Sequence, residues 1–318
     1  MAKIQSTRAR GVSTTWLRIL AIATWASTFG LIVLGSAVRV TNSGMGCKGW
    51  PLCTGSQGSI ASFHPLMEES HRLLASIVTG LIVALALSVR HNERATHLRA
   101  PTRAAVVIII VQILLGALTV FANNAPFTVA LHLLTATLFL GVVTVVAVAA
   151  FVRPEATWSL RRGSTRLGWS AVVALYVIVI SGSVAVNAGA QSACPAWPVC
   201  GNSSAQFGVV VIQMTHRSLV LVGSVVVVLF LLRLRRGTGA APGVGRFATL
   251  ALFVLALQVA VGAMSAVWSS HTEIADVHLA VASLLWSSVV AAFALSAQSP
   301  LPAREATPPA HDAARPRR

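Results

Sequence analysis

Four of the nine histidines occupy matching positions in two halves of the sequence. His71 and His132 lie in the first half, and His216 and His278 lie in the second. Each is expected within the first turns of a membrane-spanning helix, and all four at one depth. Because an imidazole inside a bilayer is costly to desolvate, such a residue usually marks a functional site. Two imidazoles on separate helices of a bundle can approach a metal from opposite sides, so the pattern predicts one bis-imidazole haem site in each half.

The same four histidines allow other interpretations. They could only form hydrogen bonds to neighbouring helices. Zinc fits less well because two histidines with few carboxylates or thiolates nearby do not complete a tetrahedron. A c-type haem is disfavoured because the sequence has no C-x-x-C-H motif. The remaining histidines are expected in loops or tails, on the outer side for two of them and on the cytoplasmic side for the others: His64 and His271, then His91, His97 and His311.

The residue three positions before the first histidine differs between the halves. It is Glu68 before His71 and Gln213 before His216. Positions i and i+3 share a helix face, so Glu68 is expected to face the same haem as His71. A partly desolvated carboxylate there can accept a proton or stabilise a developing cation, which makes Glu68 the candidate catalytic residue. The alternative is an acid favoured by the dipole at a helix N-terminus.

Arginines directly follow the first histidine of each half. Arg72 and Arg217 are therefore candidates for charge-assisted hydrogen bonds to haem propionates. The alternative is that both side chains extend to the lipid headgroups.

All four cysteines lie in segments expected on the outer side of the membrane. They form two C-x5-C pairs, Cys47 with Cys53 and Cys194 with Cys200, and each pair encloses Trp and Pro. The outer side of a bacterial-type membrane permits disulfides, and this spacing closes easily in a turn. One disulfide per half is therefore expected over the mouth of each haem pocket. Whether the pairs are structural staples or redox-responsive is left open.

These residues belong to an internal repeat. The cysteine, tryptophan and proline positions recur at an offset of 147 residues, the His-Arg pair at 145, and Gln112, Gly116 and His132 at 146. The segment that begins at Gly35 recurs from Gly182. Near-constant offsets across several residue types indicate two units of parallel topology, related by an axis along the membrane normal.

The composition requires a membrane to surround most of these units. The chain has 318 residues, of which 55% are hydrophobic and 10% charged, with a mean hydropathy of +0.77. Eight apolar runs are long enough to cross the hydrocarbon core. They cover about 16–38, 71–89, 104–122, 129–151, 168–187, 209–232, 246–268 and 277–297. The predicted fold is an all-α integral membrane protein with eight transmembrane helices in two pseudo-symmetric four-helix bundles.

The distribution of charge predicts the orientation. With eight spans and the N-terminus inside, the net charge of +16 falls on the cytoplasmic side. The outer segments balance four bases against four acids, which are Arg39, Lys48, Arg72 and Arg217, and Glu68, Glu69, Glu273 and Asp276. This is the positive-inside pattern, so both termini are expected in the cytoplasm, and the basic excess needs no nucleic acid to explain it.

The expected organisation has five parts. They are a cytoplasmic N-terminal segment (1–15), an N-terminal four-helix half (16–152), a cytoplasmic linker (153–167), a C-terminal four-helix half (168–297) and a disordered cytoplasmic tail (298–318). The first run is too long for a signal-peptide core, so it is expected to remain as the first helix. The tail is rich in Pro, Ala and Arg without apolar periodicity, which favours disorder.

The chain resembles the haem A synthases of cytochrome oxidase biogenesis. The resemblance covers nearly the whole chain: eight helices, the twofold repeat, the E-x-x-H-R motif from Glu68 to Arg72, His132, His216-Arg217, His278 and a cysteine pair in each half. It implies that the first half binds the substrate haem O and that the second half holds a haem b cofactor. It also implies oxidation of the C8 methyl of haem O, by successive hydroxylation and loss of water, to the formyl group of haem A. The implied enzyme is an oxidoreductase acting on a CH3 group, the water-dependent haem A synthase.

The partners that follow from this interpretation are membrane lipid, haem O synthase, cytochrome oxidase assembly factors and a second copy of the chain. The electron donor and acceptor, the source of the formyl oxygen and the oligomeric state are left open. A non-catalytic diheme b-type cytochrome is the main alternative, and the Glu68/Gln213 difference favours an enzyme over it. A parallel-repeat transporter and a prenyltransferase are disfavoured, because broken helices and aspartate-rich motifs are lacking in the sequence.

Overall fold

The polypeptide folds into eight long helices. The computed structural model describes residues 13–47, 49–53, 62–151, 163–236, 243–268 and 272–297. The helices are α1 Thr14–Val40, α2 Phe63–Arg90, α3 Arg99–Phe121, α4 Pro126–Ala150, α5 Gly163–Asn187, α6 Phe207–Arg236, α7 Val244–Val267 and α8 Thr272–Ser296. Across these segments there is no β-strand, and all eight helices are long and apolar enough to cross a membrane. The all-α prediction with eight spans is confirmed, and the chain is a multi-pass membrane protein.

Local sequence explains several helix ends. At the start of α1, the Ser13 hydroxyl accepts a hydrogen bond of 3.2 Å from the amide of Trp16, which satisfies one of the unpaired donors of the first turn. Between α3 and α4 the chain reverses through Asn123 and Asn124, whose φ angles are 50° and 54°. Asparagine tolerates this left-handed conformation better than most residues. Pro126 then occupies the first turn of α4, where its missing N–H leaves no bond unmade.

All eight helices begin before their apolar runs, by two to eight residues. Helix α2 begins at Phe63 rather than near residue 71, and α5 begins at Gly163, inside the segment expected as the linker 153–167. Hydropathy marks only the apolar part of a helix, whereas each added residue gains a backbone hydrogen bond whatever its side chain. Pro65 is compatible with the extension of α2, because the first turn needs no N–H donor.

The helices of the two halves have matching neighbours. In the first half α1 packs against α2 and α4, while α3 packs against α2 and α4. In the second half α5 packs against α6 and α8, while α7 packs against α6 and α8. The halves meet where α4 and α1 contact α8 and where α4 contacts α5. The pseudo-symmetry of the two bundles stays a prediction, which these matching neighbour sets support.

Aromatic side chains join the two halves. The indole N–H of Trp286 on α8 donates to the carbonyl of Thr137 on α4 at 2.8 Å. The hydroxyl of Tyr176 on α5 donates to the carbonyl of Leu134, also on α4, at 3.1 Å. The two rings pack with centroids 5.6 Å apart. Because lipid is as apolar as these helices, van der Waals packing and such hydrogen bonds hold the halves together.

The predicted terminal segments lie largely outside the described residues. Of the segment 1–15 the structure describes only residues 13–15, and the predicted tail 298–318 is outside the described ranges. His271, His311 and Lys48 are also outside these ranges.

Candidate functional site

The four repeated histidines lie deeper in their helices than the sequence indicated. His132 and His278 are the seventh residues of α4 and α8, while His71 and His216 are the ninth and tenth of α2 and α6. They therefore lie in the second turn of α4 and α8 and in the third turn of α2 and α6, because these helices begin before the apolar runs do. All four are partly buried, and all four helices begin at one end of the bundle. We call this end the disulfide end, because the loops of both cysteine pairs lie there.

Within each half the two histidine-bearing helices pack against the same two neighbours. Helices α2 and α4 both contact α1 and α3, and helices α6 and α8 both contact α5 and α7. The histidines of each couple thus lie on helices of the same bundle. His64, by contrast, lies in the first turn of α2 rather than in a loop, and its Nδ1 is 2.9 Å from the hydroxyl of Ser43.

Glutamines from α3 and α7 contact the second histidine of each couple. The amide nitrogen of Gln112 lies 3.2 Å from Nε2 of His132 and also donates to the carbonyl of His132 at 3.0 Å. The amide nitrogen of Gln258 lies 3.2 Å from Nε2 and 3.3 Å from Nδ1 of His278. An amide N–H can only donate a hydrogen bond. Each glutamine is therefore placed to donate to the imidazole nitrogen that carries a lone pair, which is also the nitrogen that can bind a metal. The repeat had identified these glutamines without assigning them a role.

Glycines make room for all four imidazole rings. A Cβ atom would lie 2.9 Å from Cε1 of His71 if built on Gly35, and 3.1 Å from Cε1 of His216 if built on Gly182. On Gly116 it would lie 3.3 Å from Cε1 of His132, and on Gly262 it would lie 2.9 Å from Cε1 of His278. Side chains at these positions would push the rings away from the neighbouring helix. The repeated glycines are therefore required by the placement of the histidines.

These residues fit a haem held by two imidazoles in each half. The four rings form two couples, and the glycines leave room for them. Several buried polar atoms of these histidines and glutamines have no hydrogen-bond partner in the segments that the structure describes. Nδ1 of His71, Nδ1 of His132 and the carbonyl oxygens of Gln112 and Gln258 are buried without a hydrogen-bond partner in the described part of the chain. Buried polar atoms without partners are rare in native proteins and often mark a missing ligand or water.

Gly35→Ala tests the close approach of helix α1 to His71. The added methyl would contact the ring at 2.9 Å, and overpacking of this kind costs about 1–3 kcal/mol of the free energy of unfolding. Gly30→Ala on the same helix is the matched control, because a Cβ there has no atom within 4 Å. Thermal unfolding in detergent is expected to show a lower midpoint for Gly35→Ala and an unchanged or higher one for Gly30→Ala. Equal midpoints would contradict the required close approach.

Glu68 is buried, with only 4% of its surface exposed, and both carboxylate oxygens have partners. One oxygen pairs with the guanidinium of Arg72 at 2.5 Å, and the other accepts a hydrogen bond of 2.8 Å from the amide of Cys47. The carboxylate therefore connects α2 to the first cysteine loop. Gln213, the counterpart on α6, is similarly buried, with 8% exposed. The difference in charge between the halves thus lies at equivalent buried positions.

Arg72 and Arg217 bind the cysteine loops in the same way. Arg72 donates to the carbonyls of Gly49 and Pro51 at 2.6 and 3.3 Å. Arg217 donates to the equivalent carbonyls of Ala196 and Pro198, at 2.7 and 3.2 Å. Where Arg72 pairs with Glu68, Arg217 instead donates to the carbonyl of Cys194 at 3.1 Å. Both arginines anchor a loop over the disulfide end of the bundle.

Both predicted disulfides are formed. Cys47 is bonded to Cys53, and Cys194 is bonded to Cys200. A carboxylate oxygen of Glu69 and the two sulfurs of the first pair lie within 4.8 Å of one another, and Oε2 of Glu69 is buried without a partner among the described residues. The sequence marked Glu69 only as one of the four acids expected on the outer side of the membrane. Whether the Glu69 side chain faces the cysteine loop depends on how α2 is rotated about its axis, and the sequence does not determine this rotation.

A comparison with protein families identifies the family of this chain. The model of the cytochrome oxidase assembly protein family COX15-CtaA matches residues 18–64 and 59–290. The chain belongs to this family. The matched residues include all four histidines, both disulfides and Glu68, so the COX15-CtaA match covers the whole candidate site. The resemblance noted from the sequence is confirmed at the level of the family.

Curated relatives in this family are described as haem A synthases. The protein of Geobacillus thermodenitrificans is 30% identical over 197 residues, which cover 59% of this chain and 61% of the relative. That of Alkalihalophilus pseudofirmus is 29% identical over 58% of this chain and 64% of the relative. That of Symbiobacterium thermophilum is 28% identical over 78% and 85%. The chain thus spans less than two thirds of the length of the first two relatives.

Proposed function

We propose that this chain is a haem A synthase, which oxidises the C8 methyl of haem O to the formyl group of haem A for cytochrome oxidase assembly. The observation that carries the proposal is a duplicated pair of imidazoles with a carboxylate, Glu68, beside one pair and an amide, Gln213, beside the other. Membership of the COX15-CtaA family and the description of its relatives support it. A diheme carrier would have no evident use for the difference in charge.

The two halves have different tasks in this proposal. His71 and His132 bind the iron of the substrate, and His216 and His278 bind a resident haem b. Haem b, when bound, would supply one-electron chemistry. Conversion of a methyl to a formyl group removes four electrons and four protons when water provides the oxygen, through a hydroxymethyl and a geminal diol that loses water. The acceptor of these electrons is a separate redox partner.

Glu68 contributes a fixed negative charge to this chemistry. Its carboxylate oxygens accept from the guanidinium of Arg72 and from the amide of Cys47, and both contacts hold the group in place. A buried carboxylate held in this way stabilises positive charge that develops on a substrate bound at His71. We therefore assign Glu68 the electrostatic role first.

Arg72 and Arg217 stay candidates for the haem propionates. Both guanidinium groups already bind loop carbonyls at the disulfide end. A guanidinium carries five N–H donors, so one group can bridge a loop and a propionate. In this arrangement the disulfide loops would position the arginines that receive the propionates.

The proposed orientation follows from charge. Both termini lie in the cytoplasm, and the disulfide end with its haem sites lies toward the outer face of the cell membrane, where oxidised cysteines persist. Haem O synthase, cytochrome oxidase assembly factors and a second copy of the chain are the proposed partners, and membrane lipid surrounds the helices.

The decisive experiment is expression of the chain in a bacterial host that makes haem O but lacks its own haem A synthase. Extracted haems are separated by chromatography. Haem A is expected only when the chain is present, and the His71→Ala/His132→Ala variant serves as the matched control without a substrate site. Accumulation of haem O without any haem A would contradict the enzyme and favour the diheme carrier.

A further inference from the structure

One difference between the two halves is a hydrogen bond to the first histidine of the couple. Nδ1 of His216 on α6 lies 2.8 Å from the hydroxyl oxygen of Ser181 on α5. The same hydroxyl donates to the carbonyl of Ile178 at 2.8 Å. A serine hydroxyl has one hydrogen, and Ile178 receives it. Ser181 must therefore accept a hydrogen bond from Nδ1–H of His216.

This hydrogen bond fixes the tautomer of the histidine. In a neutral imidazole, only one nitrogen carries a proton. With the proton on Nδ1, the lone pair of His216 is on Nε2, which is the nitrogen left to bind a metal. The ring orientation is set as well, because Ser181 holds one side of the ring and Gly182 lies against it.

The first half lacks this contact. The repeat places Leu34 at the position of Ser181, directly before the glycine that contacts the ring. The register is supported by geometry, because Cβ atoms on Gly35 and Gly182 would meet Cε1 of His71 and His216 at 2.9 and 3.1 Å. Nδ1 of His71 is buried and has no hydrogen-bond partner within the described segments. No described side chain therefore fixes the tautomer of His71.

The other neighbours of the imidazoles are shared by both halves. Gln112 and Gln258 contact the second histidine of each couple, and glycines face all four rings. The second histidines differ in that Gln258 also lies 3.3 Å from Nδ1 of His278, whereas Nδ1 of His132 has no partner among the described residues. For the first histidine of each couple, the serine is the difference in ligand positioning. Partners of this kind orient the ligand, raise its basicity and change metal affinity by about 10–100-fold.

We propose that Ser181 is a positioning residue that makes the second half a permanent holder of haem, whereas Leu34 leaves the first half able to release it. This inference rests on the proposed function, in which the second half keeps a cofactor and the first half exchanges substrate for product. A resident cofactor has to stay bound to the second half, whereas the product haem has to dissociate from the first half. One hydroxyl, present in one half and replaced by an alkyl group in the other, accounts for this difference.

The first experiment measures haem loss from the second half alone. The full chain carrying His71→Ala/His132→Ala is purified with haem b, and transfer of haem to excess apomyoglobin is followed by absorbance. Adding Ser181→Ala is expected to weaken haem retention about 10–100-fold. It is also expected to raise the midpoint potential, because a less basic imidazole stabilises the ferric state less. Ser181→Thr keeps the hydroxyl and is expected to restore both values.

Ser183→Ala is the matched control on the same helix. Ser183 is buried, and its hydroxyl lies 3.4 Å from the amide of Asn187 and, among the described residues, is not bonded to a histidine. Haem retention and midpoint potential are expected to match those of the parent chain. If Ser181→Ala also matched the parent in both measurements, the positioning role would be overturned.

The reciprocal variant tests the first half independently. In a chain with His216→Ala/His278→Ala, Leu34→Ser is expected to slow haem transfer from the first half, and Leu34→Ala controls for loss of bulk. Unchanged transfer in Leu34→Ser would overturn the assignment of this position. Failure of the proposed function is distinguishable, because it would appear in the wild-type chain as absence of haem A formation with Ser181 and Leu34 intact.

Discussion

Glu68→Gln is expected to lower conversion of haem O to haem A about 100-fold, which is the usual scale for losing one group that stabilises developing charge. Glutamine is nearly isosteric and keeps an oxygen that can accept from the amide of Cys47. It loses the negative charge that pairs with Arg72 at 2.5 Å. The effect is therefore expected on the reaction and not on the fold.

The measurement is the ratio of haem A to haem O extracted from membranes with equal amounts of protein. Haem content and labelling of free thiols in the same samples test whether the loop of Cys47 and Cys53 is intact, and both are expected to match wild type. Glu273→Gln is the matched control, because Glu273 is an exposed acid near the start of α8. Full conversion by Glu68→Gln would remove Glu68 from the chemistry.

His216→Ala and His278→Ala are each expected to remove the resident haem b. Each variant deletes one of the two imidazoles proposed to bind the iron, and the methyl group of alanine cannot replace it. His71→Ala and His132→Ala are expected to keep haem b and to retain less haem O. Variants of the second-half histidines should therefore lose haem b, whereas variants of the first-half histidines should lose haem O.

Haem b and haem O are quantified in purified protein from hosts with and without haem O. His64→Ala is the control, because His64 contacts Ser43 and belongs to neither couple. If both second-half variants kept a full complement of haem b, the assignment of His216 and His278 to that haem would fail.

The repeat made much of the architecture predictable. Constant offsets identified the histidine couples, the paired cysteines and the glutamine and glycine positions before any coordinates. These features are visible because duplication preserves both residue type and spacing. The number of spans was predictable from the apolar runs, because the lipid core imposes a minimum apolar length on each helix.

The sequence could not predict contacts that depend on helix rotation. The apolar runs begin after Phe63, so they placed His71 near the start of α2 instead of at its ninth residue. The i, i+3 rule placed Glu68 and His71 on one face, but it did not predict that Arg72 and the amide of Cys47 would take both carboxylate oxygens. The difference between Ser181 and Leu34 was visible in the repeat. The sequence did not show that the Ser181 hydroxyl contacts His216, because that contact depends on the distance between α5 and α6.

Electron paramagnetic resonance of the ferric full chain, loaded with haem, tests the central claim most directly. If each half holds iron between two imidazoles, the spectrum is expected to contain only low-spin signals of bis-histidine haem. The pyridine haemochrome assay should then give two haems per chain. A colourless protein, or a high-spin spectrum typical of a single axial ligand, would contradict the paired-imidazole sites on which the proposed function depends.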